Sequence, residues 1–232
     1  MRSWLPRLPS GWLLPAVLST TAGAVDVIGF LALGGLFTSH ITGNVVIVAA
    51  HYVTGGFSQI GPLLAVPVFM AVMGLVTLAS SAIARAGTMP LRPLLLLQTA
   101  LLAGFLLLGI GFGRFNDTDS SMAVLAGMLG VAAMATQNVL GKLALKGAPS
   151  TAVMTTNITQ LTVDLVTLVR SRGDAEELAK VRRRARITFA CVIGFVAGCA
   201  GGAILEVKFG LWALTLPVVL SAFAVPLGRV EN

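Results

Sequence analysis

Six apolar runs set the rhythm of this chain, at roughly 12–33, 62–84, 93–112, 121–143, 187–206 and 209–228. A helix of about 20 apolar residues crosses the hydrocarbon layer of a bilayer, so each run predicts a membrane-spanning helix. Two shorter apolar stretches, about 44–55 and 157–169, fall below that length, and each opens on an asparagine, Asn44 or Asn157. The pattern predicts an all-α integral membrane protein with about six transmembrane helices plus two re-entrant or broken half-helices. All of it belongs to a single membrane domain, residues 1–232.

The polar landmarks repeat. Asp26-Val27-Ile28-Gly29-Phe30-Leu31-Ala32-Leu33-Gly34-Gly35 recurs as Asn138-Val139-Leu140-Gly141-Lys142-Leu143-Ala144-Leu145-Lys146-Gly147. Thr42-Gly43-Asn44 follows the first copy, and Thr155-Thr156-Asn157 follows the second after nearly the same gap. Repeat one spans about 12–112 and repeat two about 121–228, an organisation typical of duplicated transport scaffolds.

Loop charge sets the expected orientation. Arg2 and Arg7, then Arg85 and Arg92, then the basic segment from Arg170 to Arg186 with Lys180, and finally Arg229 all belong on the cytoplasmic side. Both termini are therefore cytoplasmic, while the mixed loop with Arg114, Asp117 and Asp119 lies outside. These placements agree only if 38–55 enters and leaves on the outside and 148–170 enters and leaves on the inside. The two repeats are then inverted relative to one another. Eight full helices in two parallel halves are the alternative, and they would put the basic 170–186 segment outside.

Composition narrows the class. Of 232 residues 56% are hydrophobic and 11% charged, too little polar surface for a soluble domain of this size. The net charge of +7 is dispersed between apolar runs, which argues against nucleic acid as a partner. Cys191 and Cys199, eight residues apart on one helix, are separated by about 12 Å of rise and read as packing residues. No metal-ligand cluster, cofactor motif or catalytic constellation is legible, so neither an enzyme nor a cofactor is expected. The N-terminal run continues past signal-peptide length and reads as a retained first helix.

Non-helical backbone inside a bilayer persists only where protein buries it or water reaches it. Thr38-Ser39-His40-Ile41-Thr42-Gly43-Asn44 is such a segment, with Gly43 as the turn and Asn44 as the N-cap of the short helix. Inversion brings the helix starting at Asn157 to the same midplane from the other side. Two helix N-termini would then face each other and favour an anion or a neutral hydroxylated solute. Thr42, Thr155 and Thr156 add hydroxyls. Asp26, near the centre of its apolar run, reads as a proton-coupling residue or charge selector, or else as a staple between helices. Asn138, its counterpart in the repeat, stands beside Gln137. His40 is a titratable candidate in the same turn as Thr38. Asp164 is expected in solvent near the interface. Lys142 and Lys146 snorkel, and Trp4, Trp12 and Trp212 anchor at the interfaces.

Ala22-Gly23-Ala24-Val25-Asp26, Phe30-Leu31-Ala32-Leu33-Gly34-Gly35-Leu36-Phe37 and Thr42-Gly43-Asn44 together resemble the YoaK-like family of bacterial multi-pass membrane proteins. In the second half Ala135-Thr136-Gln137-Asn138 followed by Thr155-Thr156-Asn157 carries the likeness, which covers nearly the whole chain. The chain departs at Thr156-Asn157, where a Thr-Gly pair is frequent. The resemblance implies a multi-pass protein of the bacterial cell inner membrane and names no solute.

These readings lead to an expected transporter or channel for a small anionic or neutral polar solute. The expected pathway runs past Asp26, Thr38, His40, Thr42, Gly43, Asn44, Gln137, Asn138, Thr155, Thr156 and Asn157. The rival is a non-transporting membrane scaffold or sensor, with a homo-oligomer compatible with either. The lipid bilayer is the one partner expected in both cases.

Overall fold

A computed structural model describes residues 11–54, 60–85, 91–112, 118–145, 147–170 and 174–228. Arg2, Trp4, Arg7, Arg114, Asp117, Lys146 and Arg229, all used above, lie outside the described residues. The described chain is helical: α1 Leu13–Ala32, α2 Ile41–Thr54, α3 Ile60–Arg85, α4 Leu91–Phe112, α5 Ser121–Leu143, α6 Met154–Arg170, α7 Ala175–Phe209 and α8 Thr215–Leu227. A 3-10 turn, Gly210–Leu214, joins α7 to α8.

Five segments are long and apolar enough to cross a membrane: Leu13–Ala32, Ile60–Arg85, Leu91–Gly111, Ser121–Leu143 and Ala175–Leu227. The last contains α7, the 3-10 turn and α8. Two boundaries depart from the hydropathy reading. α7 starts at Ala175 instead of near 187, because the basic segment continues the helix. The run expected at 209–228 is interrupted by the turn, where Gly210 takes a left-handed φ of 57°.

Close packing of small residues holds α1 against α7. Gly194, Gly198 and Gly202, four apart on one face, meet Ala16, Thr20 and Ala24 of α1, and the Gly198 position abuts the Thr20 carbonyl. Small residues at this spacing let two backbones touch, which is how helices associate where lipid removes the hydrophobic drive. Residue numbers rise together along this contact, so α1 and α7 run parallel. Between α4 and α8 they oppose. Thr99 Oγ1 lies 2.7 Å from Ser221 Oγ, and Gly109 meets Leu211.

The packing partners exchange when the repeats are exchanged. α1 packs on α7 as α5 packs on α3, α2 lies on α3 as α6 lies on α7, and α4 lies on α5 as α8 lies on α1. α1 and α5 are antiparallel, since Gln137 reaches Leu18 while Thr38, tied to Asp26, rests on Gly130. A fully buried cluster that includes Ala22, Val25, Val131 and Met134 fills the middle.

Candidate functional site

Each short helix begins at a loop that doubles back beside the preceding long helix. Left-handed glycines make the reversals: Gly34 and Gly35 at φ 63° and 85° after α1, and Gly147 at φ 85° after α5. Gly43 is not the turn residue. It sits inside α2, where a Cβ would press on the Phe37 and His40 rings at 2.8 and 2.9 Å. Neither asparagine is the N-cap. α2 begins at Ile41 and α6 at Met154, so Asn44 and Asn157 each occupy the fourth helical position. From there each amide reaches back seven residues to a loop carbonyl. Asn44 Nδ2 donates to Phe37 O at 2.7 Å, and Asn157 Nδ2 donates to Ser150 O at 2.6 Å. Asn44 Oδ1 also accepts from Phe37 N at 2.9 Å.

Asp26 anchors the first loop. Its Oδ1 accepts the backbone N–H groups of Thr38, Ser39 and His40 at 2.8, 2.7 and 3.3 Å, and the Thr38 hydroxyl at 3.3 Å. Those amides lead into α2, so a side chain of α1 does what an N-cap residue does from within its own helix. The carboxylate and the whole of Thr38 are buried. His40 and Thr42 are exposed, with the His40 ring edge-on to Phe37 at 5.6 Å.

In the second repeat the equivalent task falls to Gln137, one residue before the sequence counterpart Asn138. Gln137 Nε2 donates to Thr151 Oγ1 at 2.9 Å and to Leu18 O at 3.0 Å. Its Oε1 accepts from Gln98 Nε2 at 2.7 Å. Asn138 turns to its own helix, donating to Met134 O at 2.9 Å. Gln98 escaped the sequence reading, although a fully buried glutamine in the apolar run 93–112 was its signal.

The two helix starts are tied to α1 at different levels. One loop is tied to α1 at Asp26 and the other, through Gln137, at Leu18. Eight residues of helix put these anchors about 12 Å apart along the axis. Ala22 and Val25, both fully buried, lie on α1 between them.

What the structure does bring together is a cavity of ≈ 320 Å³ beside the second loop. Gln137, Asn138, Thr156 and Asn157 line it, joined by Lys142 and Arg184. Thr155 is exposed, and its carbonyl accepts from Thr159 Oγ1 at 3.0 Å. Asp26, Thr38, His40, Thr42, Gly43 and Asn44 are not among the cavity's lining residues. The first loop is instead sealed into glycine niches. Thr38 Cγ2 would lie 3.0 Å from a Cβ at Gly29 or Gly130, and Leu36 fills the space at Gly127 and Gly61. At Gly141 and Gly147, beside the second loop, a Cβ would meet nothing within 4 Å. One loop is packed shut and its counterpart stands open.

Asp164 is buried, not solvated as the sequence suggested, and is held by a fork. Arg184 Nε donates to Oδ2 at 2.9 Å, Arg184 Nη2 to Oδ1, and Gln160 Nε2 to Oδ1 at 2.8 Å. The guanidinium keeps the Asp164 carboxyl below the usual carboxylate range against the opposing effect of burial. A depressed folded-state value means the pair stabilises the fold above the ordinary carboxylate range and fades as pH falls through the lowered value. The α6–α7 attachment is therefore expected to persist at pH 5. Arg184→Ala would strand the carboxylate and cost on the order of 2 kcal/mol, less than a fully buried pair because the guanidinium is half in solvent. Thermal unfolding of the variant in detergent measures this, and a shift no larger than that of the exposed Arg170→Ala would refute it.

The described residues form helices alone, with five segments long and apolar enough to cross a bilayer, and so define a multi-pass helical membrane protein. The chain belongs to the DUF1275 family, described as a protein of unknown function, and matches it over residues 14–227. No curated protein and no solved structure is similar to it.

Proposed function

We propose that the protein is a transporter for a small anionic or neutral polar solute, captured with its site open to one side. The observation that carries this reading is the cavity beside α6. It joins four polar residues at or beside the repeat landmarks to the Lys142 ammonium and the Asp164-bound Arg184, in a chain otherwise packed with apolar groups. An anion is favoured by Lys142, which faces the space, since the Arg184 charge beside it is matched by Asp164, and amides of Gln137 and Asn138 offer orientation.

Two inverted repeats, each of three long helices and a half-helix, six spans plus two half-helices in all, form the scaffold of this proposal. The exchange of packing partners, the antiparallel α1 and α5, and the swapped loop charges support it. Inverted repeats held in different states, one loop sealed and the other open, suit alternating access. The fully buried middle suits a transporter better than an open channel. With the basic loops inward, both termini are cytoplasmic and the cavity opens to the cytoplasm of a bacterial inner membrane, the location that the YoaK-like resemblance implies. Neither catalysis nor nucleic-acid binding enters this reading.

The fully buried centre is also what a non-transporting, oligomeric scaffold would have. Uptake separates the two. Purified protein in liposomes is expected to pass one or more solutes of a panel of small carboxylates, phosphate and polyols. Lys142→Gln should lower anion uptake about tenfold, the value of one charge-assisted contact. Absence of flux across the whole panel would favour the scaffold.

A further inference from the structure

The sequence presents Arg182-Arg183-Arg184 as one block of charge, but the helix divides it. Arg184 turns to Asp164 and the cavity beside the second loop. Arg182 and Arg183, with Arg186 one turn on, face a separate pocket of ≈ 420 Å³ at the start of α1. Its apolar wall is Trp12 and Ile187. Among the described residues none of these three arginines has a carboxylate partner, whereas Lys180 is satisfied by Glu176 at 2.7 Å. The ten residues preceding Gly11 contain Arg2 and Arg7 and no acid, so that segment cannot neutralise them.

Depth decides the ligand. Arg186 is the last charge before the apolar run 187–206, and Trp12 stands one residue before α1 begins. The pocket therefore sits where the chain passes from charged to apolar, with Trp12 57% exposed beside it. That is the level of lipid headgroups. Guanidinium groups bind phosphate oxygens in pairs, and three of them with an indole and an isoleucine make a pocket both anionic-headgroup-selective and greasy at one edge.

We propose that Trp12, Arg182, Arg183 and Arg186 form a binding site for the phosphodiester headgroup of an anionic phospholipid, where α1 begins beside the charged first part of α7. The site stands apart from the transport cavity and does not depend on it. The lipid would brace the parallel α1–α7 pair at its charged end.

The test titrates the full-length protein in neutral detergent with phosphatidylglycerol, phosphatidylcholine, or inorganic phosphate with glycerol phosphate. Bound lipid is counted by native mass spectrometry and thermal midpoints are followed. Wild type is expected to retain phosphatidylglycerol over phosphatidylcholine and to unfold at a higher temperature with it. R182Q/R183Q/R186Q should lose about a hundredfold in affinity, since each arginine near an anionic lipid is worth roughly a factor of five. If that variant fails to fold, R182K/R183K/R186K keeps the charge and should lose only part of the affinity, and Trp12→Ala should weaken retention with every arginine present. Equal retention of the two lipids by wild type, unchanged binding by the glutamine variant, or an equal midpoint shift with free phosphate would each overturn the proposal.

Discussion

Asp26→Ala is expected to destroy the fold, and Asp26→Asn to preserve it. The alanine removes the acceptor for three backbone N–H groups and a hydroxyl in a buried loop where water cannot replace it. Each stranded donor costs roughly 1–3 kcal/mol, so the sum is on the order of 4 kcal/mol even with partial relaxation. That approaches the whole stability of an ordinary domain. Asparagine keeps an oxygen at the same place and loses only the charge on it. Thermal unfolding and monodispersity in detergent measure the contrast. The pair of variants also separates the two roles expected for this residue, because a proton carrier is lost in both and a staple in alanine alone. Retained uptake in Asp26→Asn would assign it to the staple.

Gly198→Val should be the second most damaging change. At Gly198 there is no room for a Cβ beside the Thr20 carbonyl, and the obstacle is backbone, which cannot swing aside as a side-chain end can. The same substitution at Gly201, on the neighbouring face, would meet only Leu216 Cδ2 at 3.7 Å. Overpacking costs about 1–3 kcal/mol where side chains give way, so a backbone clash should reach the upper end or beyond. The expected outcome is loss of folded protein for Gly198→Val and near-normal stability for Gly201→Val. Comparable stability of the two variants would mean that α1 and α7 do not rely on backbone contact.

Both predictions concern tertiary contacts that residue spacing only hinted at. Gly194, Gly198 and Gly202 form a small-residue ladder visible by eye, yet such ladders occur on many membrane helices and do not name their partner. The loops were legible for a different reason. Polar residues in an apolar chain must find partners, so Asn44, Asn157, Asp26 and Gln137 marked the places where the backbone turns inward. Their roles were not legible. Asn44 and Asn157 lie one turn inside their helices and reach back. Gln137 takes over from Asn138, and Asp26 holds a helix start.

The cavity lies beside one loop, where the sequence reading expected a site between two. Gln137, Asn138, Thr156 and Asn157 were marked by the repeat, whereas Lys142 and Arg184 had been read as snorkelling and orientation charges. A helix assigns neighbouring residues to different faces, so which arginine of a run meets a carboxylate and which meets the lipid level depends on what packs against each face.

The amino-acid order by itself determined the membrane class, the approximate spans and the two polar loops. A bilayer obliges every backbone group to be satisfied locally, and that obligation is written in apolar length and in the rare polar exceptions. Only the tertiary structure decided that the loops stop about 12 Å apart along α1, that one is sealed while the other opens on a cavity, and that Asp164 is buried against Arg184. Those outcomes depend on contacts between residues far apart in the chain, and the periodicity of a single helix does not encode them.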